Sequence, residues 1–270
     1  MDQLGLENRL ADLPLGEIRY FDAIGSTNDY AAAWAQEGAP DCSLVIADEQ
    51  TAGRGRGARQ WFTPPGSALA FSLILRPEIP EGGGQIMRIT GLGALGVSRA
   101  LRGSYQLPAE IKWPNDVLID GLKVAGVLAE ASWTGDQLSM VVLGIGINVA
   151  PDAVPPDDWD GHHERPFPAT SVESVLGTPV DRLVLLQVVL TELLRWLPRL
   201  SEPKFIQAWR EKLVFLGDWV QVITSEAEMF EGQIINLNGD GSLRVRLRSG
   251  ELKSLQVGEI HLRLVDSSPK

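Results

Sequence analysis

The chain has 270 residues, 44% of them hydrophobic and 22% charged, enough to bury a full core without covalent staples. Its 24 basic and 35 acidic residues leave a net charge of −11, which opposes binding to a phosphate polymer over most of the surface. A single cysteine, Cys42, excludes internal disulfides and CxxC metal sites, and reads as a small structural thiol. The first residues, MDQLGLENRLADLPLGE, carry acids and no apolar run of signal or membrane length, so a cytoplasmic protein without membrane partners is expected.

Residues 1–17 read as a polar lead with one helical turn, too short for a helix-turn-helix module, and no DNA-reading domain is expected ahead of the core. Residues 17–21 alternate as a strand. Gly25-Ser-Thr-Asn28 then supplies hydroxyls before Tyr30-Ala-Ala-Ala-Trp34, which predicts a helix capped by Ser26 or Thr27. Residues 43–47 and 68–75 are buried strands. Between them lies Thr51-Ala-Gly-Arg-Gly-Arg-Gly-Ala-Arg-Gln-Trp61, with Arg54, Arg56 and Arg59 interleaved with Gly53, Gly55 and Gly57 and no acid among them. Guanidinium forks suit phosphate or carboxylate, and glycines make an unliganded loop costly to order. The segment is thus an anion clamp and a lid, or alternatively an Arg-Gly nucleic-acid segment or a solvated loop.

Gly91-Leu-Gly-Ala-Leu-Gly96 matches GxGxxG, with Asp116 twenty residues further on, but no strand precedes it. Ile86, Ile89, Leu92 and Leu95 recur at helical spacing, so a helix with closely packed glycines is expected there. A turn at Gly82-Gly-Gly84 separates it from the strand before. Residues 110–119, broken at Pro114, turn through Asp120-Gly121 into 122–130 as a hairpin with Lys112 on one arm and Lys123 on the other. The two ammonium groups either converge or stay solvated at strand edges. Residues 138–149 form an apolar strand holding Gly144 and Gly146, which suggests a flat ligand lying across it. Residues 150–169 form an acidic, proline-rich loop in which His162 and His163 diverge and are given no role. Two apolar helices over 181–213 close a first domain, 1–213. From Gly217 the period becomes two, with strands near 219, 230, 243 and 259–264, predicting a small β-barrel over 214–270.

Taken in order, Gly25-Ser-Thr-Asn28, Glu49-Gln-Thr-Ala-Gly-Arg-Gly-Arg56 with Trp61, Lys112-Trp-Pro-Asn-Asp116, Lys123-Val-Ala-Gly126 and Gly144-Ile-Gly-Ile-Asn148 make the chain resemble a biotin protein ligase. The resemblance implies an α+β fold, with a mixed sheet flanked by helices like that of class II aminoacyl-tRNA synthetases, followed by a C-terminal SH3-like barrel. It implies that biotin and ATP, with Mg²⁺, give biotinyl-5′-adenylate, whose biotin passes to a lysine of the biotin carboxyl carrier protein of acetyl-CoA carboxylase. By motif position, biotin contacts fall on Ser26, Thr27, Asn28, Gln50, Gly53, Arg54, Gly55, Arg56, Lys123 and Gly126. Contacts to ATP and adenylate fall on Arg56, Arg59, Trp61, Lys112, Asn115 and Asn148, with Asp116 as the metal ligand; Arg56, Lys123 and Lys112 are the catalytic cations. Gly57-Ala58 departs from the basic or bulky residue followed by glycine that many members carry there.

The physical requirements agree with these roles. A carboxylate attacking an anionic triphosphate needs positioning and positive charge rather than a nucleophilic side chain, and a ureido ring needs amide and hydroxyl partners in an apolar slot. A lipoate ligase or octanoyl transferase of the same fold is the enzymatic alternative; its acyl chain has no use for the Ser26, Asn28 and Gln50 cluster. An Arg-Gly RNA-binding module is the non-enzymatic alternative. The sequence sets neither the carriers nor the oligomeric state, and a homodimer is compatible with it.

Overall fold

In the computed structural model, residues 1–57, 59–76, 84–135, 137–156, 168–223, 229–256 and 261–264 are described. The turn expected at Gly82 and Gly83, the pair His162 and His163, and Ala58 of the loop lie outside them.

Helix α1 (Gln3–Leu10) is longer than the single turn expected from sequence. Asp2 caps it by accepting from Gly5 N at 2.7 Å, and the Gln3 side chain bridges to the first strand, donating to the Ile18 carbonyl and accepting from Tyr20 N, both at 2.9 Å. Tertiary contacts thus extend a helix that local propensity alone does not specify. Strand β1 (Ile18–Ile24) leads into α2 (Thr27–Gln36), whose N-cap is Ser26 as predicted. Then come β2 (Leu44–Gln50), β3 (Ala68–Leu75), the long helix α3 (Gln85–Tyr105), and the strands β4 (Ala109–Lys112), β5 (Asp116–Ile119), β6 (Leu122–Thr134) and β7 (Gln137–Asn148). These seven strands form one mixed sheet in the order β1-β2-β3-β7-β6-β5-β4, parallel only between β1 and β2. Lys112 and Lys123 are therefore not on two arms of one hairpin: β5 lies between their strands, and the turn at Trp113-Pro114-Asn115 makes a second hairpin.

Short α4 (Val172–Leu176) precedes α5 (Arg182–Trp196) and α6 (Pro203–Arg210). One face of the sheet is covered by α3, with α5 and α6 packed behind; the other is covered in part by α2, where Trp34, Ala31, Val142 and Ile74 form a smaller core. The GxGxxG glycines lie inside α3, as their spacing predicted, because helix and neighbours meet there without room for side chains. A Cβ on Gly91 would sit 2.4 Å from the Trp209 ring, and one on Gly96 would sit 2.5 Å from Leu193 Cδ2.

Beyond α6, β8 (Trp219–Ile223), β9 (Met229–Leu237), β10 (Leu243–Leu247), β11 (Leu252–Leu255) and β12 (His261–Leu264) make a five-stranded antiparallel sheet in the order β11-β10-β9-β8-β12. Strand β11 was not read from sequence, because Glu251-Leu-Lys-Ser-Leu255 hardly alternates. The last strand runs from His261, and residues 259 and 260 of the expected segment lie outside the described part. Val220, Val222, Ile234 and Val245 join the same apolar cluster as Trp209 and Leu213. No helix among the described residues is long and apolar enough to cross a membrane. Cys42 is half-buried, and burial, then the neighbouring Asp41, pushes its thiol up to about 11, which fits a structural thiol.

The fit at α3 predicts opposite effects for two glycines of one helix. Gly91→Ala gains helix propensity but must displace a rigid ring, and is expected to lower stability by about 1–2 kcal/mol net of that gain. Gly103→Ala, with nothing within 4 Å of its Cβ position, is expected to raise stability by up to about 1 kcal/mol. Urea midpoints at unchanged m-value measure both.

Candidate active site

The site lies on the α2 face of the mixed sheet, where strand pairing lines up Gly126 with Gly146 and Gly144 with Ser72. Three glycines strip this strip of side chains. The chain itself also approaches the strip closely: a Cβ on Gly144 would stand 2.0 Å from Asn28 Oδ1, and one on Gly146 would stand 2.2 Å from Trp61 Cε2. The floor thus receives the chain's own Asn28 from α2 and Trp61 from the loop. The remaining cavity, of about 100 Å³, is lined by Ser26, Thr27, Asn28 and Gln50 at one end and by Arg56, Arg59, Asn115, Asp116 and Lys123 at the other, with Arg54 along one side, Gly55 and Trp61 above and Gly126, Gly144 and Gly146 below.

The first end is a polar network set by the start of α2. Gln50, the last residue of β2, accepts through Oε1 from Thr27 N at 2.8 Å and from Thr27 Oγ1 at 3.0 Å, and donates through Nε2 to Thr63 Oγ1 at 3.2 Å. Ser72 Oγ lies 2.6 Å from Asn28 Oδ1, which can only accept, and 2.8 Å from Thr27 Oγ1. Asn28 Nδ2 donates to Glu130 Oε2 at 2.7 Å. Ser26, Thr27, Asn28 and Ser72 are all buried, so their hydrogen bonds are costly to break.

The loop folds back on itself through backbone hydrogen bonds. Trp61 N donates to the Gly53 carbonyl at 2.9 Å, and Gly55 N donates to the Arg59 carbonyl at 2.8 Å, closing a small hairpin over the cavity. Gly53 is required by that closure, since a Cβ there would lie 2.4 Å from the Trp61 carbonyl. Arg54 reaches away from the cationic end, pairing through one terminal nitrogen with Asp29 at 2.7 Å and Glu130 at 2.5 Å. Arg56 donates to Asn115 Oδ1 at 3.1 Å, and Asn115 in turn donates to the Val127 carbonyl at 2.9 Å, which ties loop to sheet. Trp61 Nε1 is buried over Gly146 and has no acceptor among the described residues.

Asp116 organises the cationic end. Its carboxylate pairs with Lys123 Nζ at 2.6 Å, and Lys123 Nζ also lies 5.6 Å from the centre of the Trp61 ring. Burial pushes the Asp116 carboxyl up, but Lys123, then Lys112 and Arg59, hold it below its ordinary value. Lys112, paired with Asp116 across β4 and β5, is buried and acts on that carboxylate from behind the cavity rather than from its lining. Asn148 also stays out of the lining; it is buried and donates to the Thr170 carbonyl at 3.0 Å. Among the described residues no three His, Cys, Asp or Glu side chains cluster as a metal cage. One lining carboxylate fits a magnesium ion held mainly by phosphate oxygens and water, which is how that ion commonly accompanies nucleotides.

Ser72 and Glu130 take part in the site, Asp29 anchors the loop outside its lining, and none of the three was read from sequence. Ser72 had a signal, as the one polar residue in Ala68-Leu-Ala-Phe-Ser-Leu-Ile-Leu75. Glu130 and Asp29 are ordinary surface types whose importance comes only from what they face, Asn28 and Arg54 for Glu130 and Arg54 for Asp29.

Residues 20–148 match the model of the biotin/lipoate A/B protein ligase family. The chain is 36% identical over 236 residues to the biotin–[acetyl-CoA-carboxylase] ligase of Paracoccus denitrificans, covering 83% of this chain and 92% of that one. It is 39% identical over 171 residues to the bifunctional ligase/repressor BirA of Bacillus spizizenii, covering 63% of this chain but only half of that relative. The structure resembles the biotin protein ligase of Aquifex aeolicus solved with biotin and ATP, with a TM-score of 0.77 and 28% identity over 92% of this chain and 99% of that one.

The charge arrangement predicts a pH dependence. A carboxyl held below its unfolded value stabilises the fold above about pH 4 and loses that contribution as pH falls through the folded value. From pH 5 towards pH 3 the urea midpoint of the native chain is therefore expected to fall more steeply than that of Asp116→Asn, whose amide does not titrate. Parallel slopes would show that Asp116 carries no such linkage.

Proposed function

The chain belongs to the biotin protein ligase family, and we propose that it joins biotin to AMP from ATP and then passes the biotinyl group to a lysine of a biotin carboxyl carrier domain. The observation that carries this reading is the division of one cavity into a neutral hydrogen-bonding end, Ser26, Thr27, Asn28 and Gln50, and a cationic end, Arg56, Arg59 and Lys123. A ureido ring has N–H and C=O groups for the first and biotin's carboxylate points towards the second. A lipoate or octanoate tail would leave the buried Thr27, Gln50, Asn28 and Ser72 network without a polar ligand, which disfavours that alternative.

In the first step a biotin carboxylate oxygen attacks the α-phosphorus of ATP, the bond to the bridging oxygen breaks, and pyrophosphate leaves. Charge gathers on the phosphoryl oxygens as this happens, so groups that hold positive charge there before reaction accelerate it most. Lys123, fixed by Asp116, and Arg56, fixed by Asn115, are held ready for that position. Lys112 strengthens the same field from behind Asp116. Magnesium accompanying ATP would be held by Asp116 and would neutralise phosphate charge. In the second step the carrier's lysine amine attacks the biotinyl carbonyl and AMP leaves with the bonding electron pair, the proton of the amine passing to water.

In this reading the hairpin that carries Trp61 is a lid that moves as substrates enter above the glycine floor. Arg59 and Trp61 fall to the nucleotide in this reading, while Gly53, Gly55 and Gly126 give backbone room beside biotin. Asn148 supports the end of β7 rather than contacting nucleotide.

The same reading divides the chain into a biotin and ATP module of class II aminoacyl-tRNA synthetase type over 1–213 and an SH3-like barrel over 214–270, supported by the change to an all-antiparallel sheet at Trp219. A cytoplasmic carrier of acetyl-CoA carboxylase is the partner, and net charge −11 argues against nucleic acid.

Biotin- and magnesium-dependent exchange of labelled pyrophosphate into ATP tests the function directly, and exchange driven by lipoate or octanoate but not biotin would refute it. In the same assay Lys123→Ala is expected to lose about two to three powers of ten in rate, the scale of one such electrostatic contact. Native turnover by that variant would return Lys123 to a structural salt bridge.

A further inference from the structure

We propose that Glu130 is a positioning residue that serves both halves of the site with one carboxylate, orienting the Asn28 amide and mooring Arg54 of the loop. For the identity of the ligand this rests on the biotin reading above.

Glu130 lies on β6 beyond the cavity lining, two residues past Leu128 on the glycine face. Its Oε2 accepts from Asn28 Nδ2 at 2.7 Å and from Arg54 at 2.5 Å. A carboxylate only accepts, so the amide nitrogen of Asn28 must face it. Asn28 Oδ1 is then turned to Ser72 and to the floor over Gly144, with one lone pair still available. The cavity consequently offers an acceptor at this point, suited to a ligand N–H. With the amide reversed, oxygen would face the carboxylate and the cavity would present a donor instead. Glu130 thereby decides which polarity of ligand the buried amide can read.

The same oxygen holds Arg54, whose other partner, Asp29, is 61% exposed in its side chain. Glu130 is thus the point where the hairpin over the cavity and the amide beneath it are tied together. Loss of the carboxylate should loosen both, whereas loss of Asp29 should affect only the loop.

The test uses the full chain with Glu130→Ala, Glu130→Gln, Asp29→Asn, Asn28→Asp and the double variant Asn28→Asp/Glu130→Gln. Two readouts are taken: KM for biotin and kcat in pyrophosphate exchange, and the rate of tryptic cleavage at Arg54, Arg56 and Arg59 without ligand. Glu130→Ala is expected to raise the biotin KM about ten- to a hundredfold, the worth of a hydrogen bond to a charged group, with kcat much less changed and faster loop cleavage. Glu130→Gln keeps an acceptor for Asn28 and is expected to stay close to native in KM while cleaving faster. Asp29→Asn is expected to change cleavage alone.

Reversal is the decisive arm. Asn28→Asp sets two carboxylates against each other and raises KM, and adding Glu130→Gln supplies a donor and is expected to recover at least about tenfold of that loss. A purely structural role for Glu130 would give no such rescue. Glu130→Ala with native KM and native cleavage, or a double variant no better than Asn28→Asp, overturns the proposal. A native chain that shows no biotin-dependent exchange overturns the functional reading before any variant is compared. The Arg54 tether then stands or falls on cleavage alone.

Discussion

The site depends on a strip of sheet with no side chains. Gly144, Gly146 and Gly126 lie together on the face where β6 and β7 pair, and the Cβ positions of Gly144 and Gly146 are already taken by Asn28 and Trp61. Any larger residue at these two positions would push α2 off the sheet or expel the loop. Because β7 is the central strand and β6 its neighbour, each held by hydrogen bonds on both sides, they tolerate glycines that would weaken an edge strand. The stiffness of the sheet is what allows its middle to be bare.

A second constraint is electrostatic. Lys123, Lys112 and Arg59 act on one carboxylate, Asp116, and three cations around one anion leave net positive charge at that end of the cavity. An isolated cluster of this sign would repel itself; Asp116 makes it tolerable without neutralising it, so that an anionic ligand completes the balance. The acids Asp29 and Glu130 lie on the opposite side and hold Arg54 away from this cluster. The cavity is therefore polarised along its length by residues drawn from α2, the loop and three different strands.

Much of this was legible in the sequence because it rests on local chemistry. Ser26 caps α2 as its type and position require, the strand ending at Gln50 delivers that amide to the site, and the α3 glycines keep helical spacing. What was not legible came from the third dimension. The extra turn of α1 depends on Gln3 bonding to β1, and the contacts of Glu130 lie 102 and 76 residues away in the chain. The placement of Lys112 behind Asp116 rather than beside Lys123 follows from an additional short hairpin that Pro114 hides as a break. The glycines of β7 advertised close approach, but not that the approaching groups would belong to the chain itself.

The link between the two sheets has a consequence for how the chain can be divided. Strand β4 would end the mixed sheet, yet its open side is taken: Ile111 N donates to the Lys212 carbonyl at 2.7 Å, and Val214 N donates to the Ile111 carbonyl at 2.9 Å. Next to it, Trp113 Nε1 donates to the Gly241 carbonyl at 3.0 Å in the turn between β9 and β10. The residues that join the two sheets are thus also the cover on an otherwise adhesive margin. A protein cut just after α6 would keep every residue of the cavity and still carry a bare hydrogen-bonding edge beside Lys112, free to recruit strands from other molecules. Solubility of the first sheet is, in this sense, supplied by the start of the second.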